Sequence, residues 1–578
     1  MEAQAHRQPL IAAFRSAPLP VARFTEVPGE NKKLLPQRVL ICKTRSLRAA
    51  ALVAALCAPL QTWAQTAITP GAVLDTVPDR KPVLPPTPAE VIFPASRPDA
   101  VHDPSAPRFT VNAFTFVGNT VYTERQLKQL TERFIDLQLN LYDLNRAADT
   151  VTQLYRETGF PISRAIIPAQ KVENGIVRIE VIEGRLANIS IVGNNRYSAE
   201  LISARTGSLP KNELVTVPRL ERSLLLMNDL PGLSARATLA PGADYGTTDM
   251  VIRTEEKPYA GTVSLDNHGR RETGETRLDA AFDLNNPLGI GDQLNLRVIE
   301  TRHSLLSYGR IGYSLPVSNE GTRLGATYSK VRYNIGGDFA ALGISGEVTN
   351  TELVLTHPWV RSRARNIVFG IGLRNTKTTQ TTLGVPTADT SIDLLSLTAL
   401  GSWVHADSAT TSTTLVLSGN GKNNPGNLQN AQRAKADIDI SHLRAASKNW
   451  DLYLRGNMVF SSGALPDTEK FSLGGPGSVR GYRSSDLRGE TGWVATGELR
   501  RQFVAANTVG VFNLFYDWGA IKADGFTRYD TIRSAGFGVS VFPHKHLRAK
   551  AEYAYPQSDR ISGDRKRGRL WFTVSSSF

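Results

Sequence analysis

Apolar and polar residues alternate along the C-terminal part of the chain, from Tyr259 to Phe578. A period of two is typical of strands that have one apolar and one polar face. The connections between these segments are alternately long and polar, or short, which predicts an antiparallel β-barrel in a membrane. Roughly sixteen strands are predicted, near residues 259–267, 276–286, 294–302, 307–317, 323–334, 348–360, 366–378, 391–405, 410–420, 433–445, 449–461, 493–503, 509–521, 532–542, 547–556 and 569–578.

The last predicted strand shows the pattern most clearly. Leu570, Phe572, Val574 and Phe578 alternate with more polar positions, so one face suits lipid and the other suits water. An even number of strands brings both ends of the barrel to one side, where the short turns at 287–293, 318–321 and 543–546 are expected. The competing interpretation is a water-soluble β-sandwich, which explains neither so many strands nor an export signal.

Between residues 108 and 258 the pattern changes to two similar units of about 75 residues, and such a repeat is a specific signal. Phe-Val-Gly-Asn-Thr-Val-Tyr-Thr at 116–123 recurs as Ile-Val-Gly-Asn-Asn-Arg-Tyr-Ser at 191–198. In each run a strand ends in a Gly-Asn turn, and a Thr or Ser then stands at a helix N-cap position. We expect the order strand–helix–helix–strand–strand in both units. In the first unit the predicted elements are helices at 123–136 and 143–158 and strands at 163–172 and 176–183.

The residues before these units predict export and a linker. Basic residues followed by a short apolar stretch and Thr-Trp-Ala at 62–64 are typical of a signal peptide, so residues 1–64 are interpreted as an N-terminal extension with a signal peptide. The 40 residues ahead of the signal match no targeting class, and we expect that translation starts later. Residues 65–107 are proline-rich and predict an extended linker with a short helical turn near 72–76.

The net charge and the cysteine content limit the classes of function that fit this chain. Residues 1–64 hold nine Lys/Arg and three Asp/Glu, a net charge of +6, so their removal lowers the net charge from +14 to +8. This is modest over more than 500 residues, and the basic residues are scattered, which argues against nucleic-acid binding. Both cysteines, Cys42 and Cys57, lie in the removed part. A mature chain without cysteine suits the cell envelope.

A glycine-rich stretch at 474–482 lies within a long predicted outer loop, residues 464–492, here named the inward loop. Glycine is retained where the backbone takes unusual angles or approaches a neighbour closely. Because this stretch contains a single cation, Arg480, we expect a segment folded into a confined space and held there by a carboxylate. The candidate partner is Asp517. Taken alone, the stretch is equally compatible with a solvated surface loop.

Alternation assigns Asp517 to the barrel interior. In the predicted strand at 509–521, Tyr516 and Trp518 share the lipid-facing side with an aromatic girdle, whereas Phe515 and Asp517 take the opposite side. A bidentate guanidinium–carboxylate pair is directional and is favoured where water is partly excluded. The alternative is an ordinary lumenal charge.

Several motifs together carry a resemblance to a known family. They are Tyr-Arg-Glu-Thr-Gly-Phe-Pro at 155–161, Glu-Gly-Arg at 183–185, Asn-Pro-Leu-Gly-Ile-Gly-Asp at 286–292, the loop residues Val479, Arg480, Gly481 and Tyr482, and the strand residues Phe515, Asp517 and Gly519. From about residue 109 to the end, the chain resembles the two-partner secretion transporters of the ShlB/FhaC/HecB (TpsB) family, within the POTRA-barrel superfamily of outer-membrane insertases and translocators.

The resemblance implies a mixed fold, with two periplasmic α+β POTRA domains (108–184 and 185–258) followed by a 16-stranded antiparallel transmembrane β-barrel (259–578). It also implies that the inward loop folds back into the barrel and that Arg480 pairs with Asp517. Some members of the family begin with a helix that plugs the pore. Here the start of the mature chain is proline-rich and weakly helical, so a stable plug helix is not expected.

The implied function is export of an unfolded partner exoprotein, such as a haemolysin or an adhesin, with activation of the client as a further role. The expected partners are an exoprotein with an N-terminal two-partner secretion domain and the lipid of a Gram-negative outer membrane, with the transporter a monomer. No cofactor and no metal are expected. No Gly-Lys-Ser/Thr phosphate loop is present in the sequence, so folding of the client outside the cell is expected to drive export.

Three alternatives remain. An insertase for other barrel proteins fits less well, because such relatives typically have more POTRA units. A passive porin also fits less well, because diffusion through a pore does not require the two α+β units. An enzyme is least favoured, since the sequence has no His-Glu-x-x-His or Gly-x-Ser-x-Gly motif and its nine histidines are scattered.

Overall fold

The structure, a computed structural model, describes residues 69–77, 91–92, 105–207, 209, 213–421, 433–505, 508–558 and 568–578. The predicted signal peptide and most of the predicted linker therefore lie outside the described residues. The first described element is the short helix α1, Pro70–Leu74, in the region where the sequence predicts a helical turn. It begins after Thr69, whose hydroxyl accepts a hydrogen bond from the Ala72 amide at 3.3 Å, and proline takes its first position.

The first α+β unit contains two helices against a small sheet. Its elements are β2 Phe109–Val111, β3 Ala113–Val117, α2 Glu124–Thr131 with a following 3₁₀ turn Glu132–Phe134, β4 Leu137–Leu139, α3 Leu141–Glu157, β5 Arg164–Ile166 and β6 Ile176–Ile182. Strand β6 lies between β3, to which it is parallel, and β5, to which it is antiparallel. The two predicted helices are confirmed. The predicted strand at 163–172 is wrong in extent, because only three of its residues pair in the sheet.

Both helices of this unit begin at capping boxes. The Thr123 hydroxyl accepts from the Gln126 amide while the Gln126 side chain accepts from the Thr123 amide, and Asn140 and Asp143 repeat the arrangement at α3. Each box satisfies amide groups that have no partner within the helix. The helices pack an apolar face onto the sheet, where Tyr155 is fully buried.

The second unit has the predicted order of elements. They are β7 Arg185–Val192, α4 Ala199–Ser203 with a 3₁₀ turn Ala204–Thr206, α5 Val217–Asn228, β8 Leu233–Pro241 and β9 Thr247–Glu256. Strand β1, Val91–Ile92, pairs in parallel with Ala237 and Thr238 of β8. The sheet order is therefore β1-β8-β9-β7, and the linker occupies the β8 edge.

A glutamate near the end of each unit holds the Gly-Asn turn that opens it. Glu183 accepts hydrogen bonds from the amides of Thr120 and Val121 at 2.6 and 2.8 Å. Glu256 does the same for the amides of Asn195 and Arg196, both at 2.9 Å. The repeated sequence motif is therefore also a repeated hydrogen-bond arrangement.

Sixteen strands then close into an antiparallel barrel, which confirms the predicted fold class. They are β10 Tyr259–Asp266, β11 Arg277–Asn285, β12 Gln293–Thr301, β13 Leu306–Pro316, β14 Arg323–Asn334, β15 Ser345–Arg361, β16 Arg365–Thr382, β17 Val385–Val404, β18 Thr410–Asn420, β19 Ala434–Ser447, β20 Trp450–Ser461, β23 Thr491–Ala505, β24 Thr508–Lys522, β25 Asp530–His544, β26 Leu547–Pro556 and β27 Arg569–Ser577. Short 3₁₀ turns at Arg302–Ser304 and Gly337–Leu342 lie in two of the connections.

The barrel closes where β10 pairs with β27, from Thr262 opposite Ser577 to Asp266 opposite Thr573. Leu570, Val574 and Phe578 are exposed on the outer face, whereas Trp571 is buried inside. No helix in the described part of the chain has both the length and the apolar character needed to cross a membrane.

Three consecutive short turns of the barrel hold the second α+β unit. Asn286 in the first turn exchanges hydrogen bonds with Arg196, and the Ser318 carbonyl in the second accepts from Arg205 at 2.7 Å. Beside the third turn, Arg361 makes a bidentate pair with Asp229 at 2.7 and 2.9 Å. The unit is thereby attached to one part of the barrel rim.

Candidate functional site

The connection between β20 and β23 folds into the barrel and carries a small hairpin of its own. It contains a 3₁₀ turn Asp467–Glu469 and strands β21 Phe471–Leu473 and β22 Leu487–Gly489. Gly474 and Gly475 follow β21 with φ angles of 103° and 96°, in the region that favours glycine. A Cβ on Gly475 would also meet the Ser484 hydroxyl at 2.7 Å. The two glycines therefore let the chain turn tightly against the returning segment.

The Arg480 guanidinium meets the carboxylate of Asp517 inside the barrel. Arg480 Nη2 lies 2.7 Å from Asp517 Oδ1, and Nε lies 2.9 Å from Oδ2. The Arg480 amide also donates to Oδ2 at 3.1 Å. The Asp517 side chain has no exposed surface, and only 5% of the Arg480 side chain is exposed. The arrangement is bidentate and largely shielded from water, as expected for a directional contact.

Two further carboxylates complete an acidic cage around Arg480, defined by Asp517, Glu498 and Glu552. Arg480 Nη1 donates to Glu498 Oε1 at 2.8 Å and to Glu552 Oε1 at 2.9 Å. Strands β23, β24 and β26 supply these residues. These strands belong to the consecutive paired run β23-β24-β25-β26, so the pairing of neighbouring strands brings the carboxylates together.

Aromatic side chains form the remaining walls of the cage. The guanidinium lies over the Phe515 ring, 3.4 Å from its centroid, which is a cation–π geometry. The Trp571 indole donates to the Arg480 carbonyl at 2.7 Å. Arg480 is therefore held through its backbone as well as its side chain.

The other residues of the two motifs lie against this cage. Val479 is fully buried in an apolar cluster, and the Tyr482 hydroxyl donates to the Ser558 carbonyl at 3.2 Å. A Cβ on Gly481 would lie 2.8 Å from Ser534 Cβ, so glycine permits the close approach. A Cβ on Gly519 would lie 2.9 Å from a methyl group of Leu473. The glycines of both motifs thus allow the loop to lie against the barrel wall.

A second group of contacts ties the inward loop to helix α1. Arg488 pairs with the Asp75 carboxylate, and the Ser485 hydroxyl donates to it at 3.0 Å. The Gly71 amide donates to Asp467 Oδ2 at 2.6 Å. On its other side, the helix inserts Val73 into an apolar cluster on the inner barrel wall. The sequence did not predict a stable plug helix, and tertiary contacts account for the five-residue helix found here.

A cavity of about 560 Å³ remains beside the loop within the barrel. Its lining includes cationic and anionic side chains of the wall, such as Lys435, Asp437 and Arg455. Arg455 pairs with Asp439 at 2.8 Å. The lining therefore combines apolar surface with charged side chains of both signs, and the charged side chains are of the kind expected in a water-filled lumen.

In the first α+β unit, Glu183 is a buried carboxylate with several donors. Burial by itself raises the pKa of this carboxyl, but hydrogen bonds from the Thr120 hydroxyl, from the amides of Val121 and Thr120, and from the Tyr155 hydroxyl together lower the pKa below its ordinary value. Burial, reinforced by the bond to Glu183, raises the pKa of Tyr155. The Glu-Gly-Arg motif at 183–185 therefore has a structural role in this unit.

Sequence reasoning missed Glu498, Glu552 and Trp571. Alternation within each strand does place them on the lumenal side, together with other polar residues of the barrel interior. Their convergence on Arg480 depends on the register between strands, which alternation alone does not give. A search for carboxylates on the lumenal side of the strands close to β24 would have reduced the number of candidate partners for Arg480.

The fold and the site define a class of protein: an outer-membrane β-barrel transporter with periplasmic POTRA domains and a loop folded into its lumen. The model of the POTRA domain, ShlB-type, matches residues 109–184. The model of the haemolysin secretion/activation protein ShlB/FhaC/HecB matches residues 246–541, about half of the chain. The chain belongs to the ShlB/FhaC/HecB family, and it is a translocator of the two-partner secretion class.

Individual relatives agree with this membership. The heme/hemopexin transporter protein HuxB of Haemophilus influenzae (strain 86-028NP) is 26% identical over 477 residues, covering 78% of this chain and 84% of HuxB. The outer membrane transporter CdiB of Dickeya dadantii (strain 3937) is 26% identical, covering 68% of this chain and 73% of CdiB. The solved structure of CdiB from Escherichia coli superposes with a TM-score of 0.66 at 21% identity, covering 83% of this chain and 92% of that one, and shows the same fold.

Proposed function

We propose that the protein exports an unfolded exoprotein through the barrel, and that the inward loop and helix α1 close the pore until the client arrives. The observation that supports this most is the burial of Arg480 in the acidic cage inside the lumen. A loop held there by three carboxylates and a tryptophan fills space through which a chain would have to pass. Its departure is therefore part of the proposed export step.

We further propose that the client docks on the POTRA units by adding a strand. Main-chain hydrogen bonds make this mode tolerant of sequence, which suits an unfolded client. In the second unit, the β8 edge of the sheet is already paired with β1. In the first unit, β5 lies at a sheet edge with no further strand beside it among the described residues. This edge is the proposed docking position.

The role of Arg480 and Asp517 as the residues that hold the loop is part of this proposal, together with the supporting residues Val479, Gly481, Tyr482, Phe515 and Gly519. The division into POTRA domains at 108–184 and 185–258 and a barrel at 259–578 is proposed on the elements described above. The partner is an exoprotein with an N-terminal two-partner secretion domain, and the transporter works as a monomer in outer-membrane lipid.

The protein is proposed not to be an enzyme and to need neither a cofactor nor nucleotide hydrolysis. Folding of the client outside the cell would make its passage irreversible. Membership of a secretion family favours this function over the insertase and the porin. Client activation, as in the family's description, is compatible with the same route.

Deletion of residues 109–184 tests the docking step. We expect the variant to lose secretion of the client while its barrel still shows a heat-dependent shift in gel migration. A matched control replaces the exposed Lys171, which pairs with Glu173 and lies outside strand β5, by alanine. Export by the deletion variant at the level of the control would contradict docking on the first unit. Loss of other barrel proteins from the membrane, with secretion intact, would favour the insertase.

A further inference from the structure

Within the part of the chain that the structure describes, six charged side chains meet at the acidic cage, and their charges cancel. Three are cationic and three are anionic: Arg480, Arg500, Lys550, Asp517, Glu498 and Glu552. Only Arg480 belongs to the inward loop, whereas the other five lie on strands of the barrel. The wall alone therefore carries a net charge of −1 around the position of the guanidinium.

Both glutamates are shared between the loop and the wall. Glu498 accepts from Arg480 through Oε1 at 2.8 Å and from Arg500 through Oε2 at 2.7 and 2.8 Å. Glu552 accepts from Arg480 through Oε1 at 2.9 Å and from Lys550 through Oε2 at 2.8 Å. Each wall cation stands two residues from its glutamate on the same strand, so it shares the lumenal face.

The wall cations are more accessible to water than the cage itself. About a third of each side chain is exposed, 32% for Arg500 and 35% for Lys550, against 9% for Glu498 and 3% for Glu552. Arg500 also stacks over the Tyr453 ring at 3.8 Å. They are therefore fixed to the wall and partly hydrated, and they would remain beside the carboxylates after Arg480 had left.

We propose that Arg500 and Lys550 are positioning residues that set how tightly the barrel wall holds Arg480. They compete with Arg480 for the two glutamates and reduce the charge left behind when the loop departs. Without them, the guanidinium would face three otherwise unshared carboxylates, and its withdrawal would leave a charge of −3 in a confined space. Because the wall cations balance most of the negative charge, the loop can be released. This inference extends the proposed function, in which loop movement accompanies export.

The charges determine whether each substitution makes the barrel wall hold the inward loop more tightly or less tightly. Lys550→Gln leaves Glu552 to pair with Arg480 alone, so the loop is held more tightly. Glu552→Gln removes one carboxylate, so the loop is held less tightly. The double variant Lys550→Gln/Glu552→Gln removes one charge of each sign and restores the balance. A purely structural role for Lys550 predicts no such compensation.

The substitution Ser478→Cys provides a reporter of loop release that works without any client. The Ser478 hydroxyl is buried and has no hydrogen-bond partner among the described residues, so a thiol of similar shape fits there. Cys42 and Cys57 both lie before residue 65, so the introduced thiol is the only one in the rest of the chain. Labelling by a maleimide in outer-membrane vesicles then measures the rate at which the loop leaves its site. Heat-modifiable migration verifies that each barrel is folded.

In the Ser478→Cys background, we expect Lys550→Gln to slow labelling of the introduced thiol by about threefold or more and Glu552→Gln to accelerate it by a similar factor. The labelling rates of the double variant and of Lys550→Arg should lie within about twofold of the rate of the Ser478→Cys parent. Arg297→Gln, which removes a lumenal cation paired with Asp279 on another part of the wall, is the matched control and should label like the parent.

Unchanged or faster labelling of Lys550→Gln would overturn the inference, and so would a double variant that stays as slow as Lys550→Gln. Secretion is measured separately on the same variants. If labelling follows the predicted order but secretion does not change, the charge balance stands and the requirement for loop release in the proposed function fails. The two ideas are therefore distinguished by different readouts.

Discussion

Arg480 and Asp517 are 37 positions apart in sequence, yet they form a bidentate pair whose aspartate side chain is wholly buried. Removing one partner of a buried pair leaves an uncompensated charge, which typically costs about 3–5 kcal/mol. The pair therefore fixes one position of the inward loop much more strongly than an exposed ion pair would.

Arg480→Ala should reduce secretion of the client by about tenfold or more, because three buried carboxylates lose a shared cation and the unanchored loop takes many positions in the lumen, where it obstructs the client instead of leaving as one segment. The barrel should still insert and show heat-modifiable migration. The measurement is the amount of client in the medium, with Arg297→Ala as a lumenal arginine control on another wall. Secretion by Arg480→Ala equal to that of the control would show that Arg480 has no role in export.

Arg488→Gln should open the pore to ions more often. Arg488 joins Asp75 behind helix α1 to the loop, and its loss frees one end of the helix. The conductance of single proteins in planar lipid bilayers measures the effect, and we expect the open fraction to rise by about threefold or more, as breaking a partly buried ion pair costs roughly 1 kcal/mol. Arg455→Gln, which removes a lumenal arginine that pairs with Asp439 on the barrel wall, should conduct like the unmodified protein. Equal open fractions for both variants would contradict a role of Arg488 in holding helix α1 to the inward loop.

Asp229→Ala should loosen the second α+β unit from the barrel rim. The Arg361 side chain is only 2% exposed and would lose its bidentate partner, but Asp229 is 27% exposed. Solvent screening reduces the cost, so about 1–3 kcal/mol is expected. Hydrogen exchange should accelerate in α5 and at the turn 362–364, with the barrel strands unchanged. The exchanged pair Asp229→Arg/Arg361→Asp should recover part of the protection, and no recovery would argue against a specific ion pair.

The first POTRA unit should lose stability at acidic pH through Glu183. The folded state lowers the pKa of this carboxyl below its ordinary value, so its contribution is fully present above the unfolded pKa and is lost as pH falls through the folded pKa. Hydrogen exchange of residues 109–184, compared at about pH 6 and below about pH 4, measures the change. Glu183→Gln should be less stable at the higher pH and show a weaker dependence on pH in this window. An unchanged dependence would assign the acid sensitivity to other groups.

Alternation was sufficient to predict the barrel, because a membrane barrel imposes a period of two on every strand. The strands at 323–334, 410–420 and 547–556 were predicted with the observed bounds. The cap residue Thr123 likewise located the start of the first helix in the first unit. These features are local and are therefore visible in sequence.

Features that depend on long-range contacts were not predicted. Helix α1 is too short to be stable by itself, and it exists because Val73 and Asp75 find partners on the barrel wall and the loop. The pairing of β1 with β8 joins segments more than 140 positions apart. Likewise, Glu498 and Glu552 reach Arg480 only because the register across β23 to β26 aligns them.

The most direct test of the account is to tie the inward loop to the barrel wall. A Cβ on Gly481 would lie 2.8 Å from Ser534 Cβ and 2.9 Å from the Pro556 nitrogen. The variant Gly481→Cys/Ser534→Cys can therefore form a disulfide once the loop moves away from the wall by about 1 Å, to the Cβ–Cβ separation that is usual for a disulfide. The measurement is the secretion of the client by this variant under oxidising conditions and after a reductant is added, with each single cysteine as a control. We expect secretion to stop while the bond is intact and to resume on reduction. Full secretion through a barrel whose loop is covalently tied would contradict it.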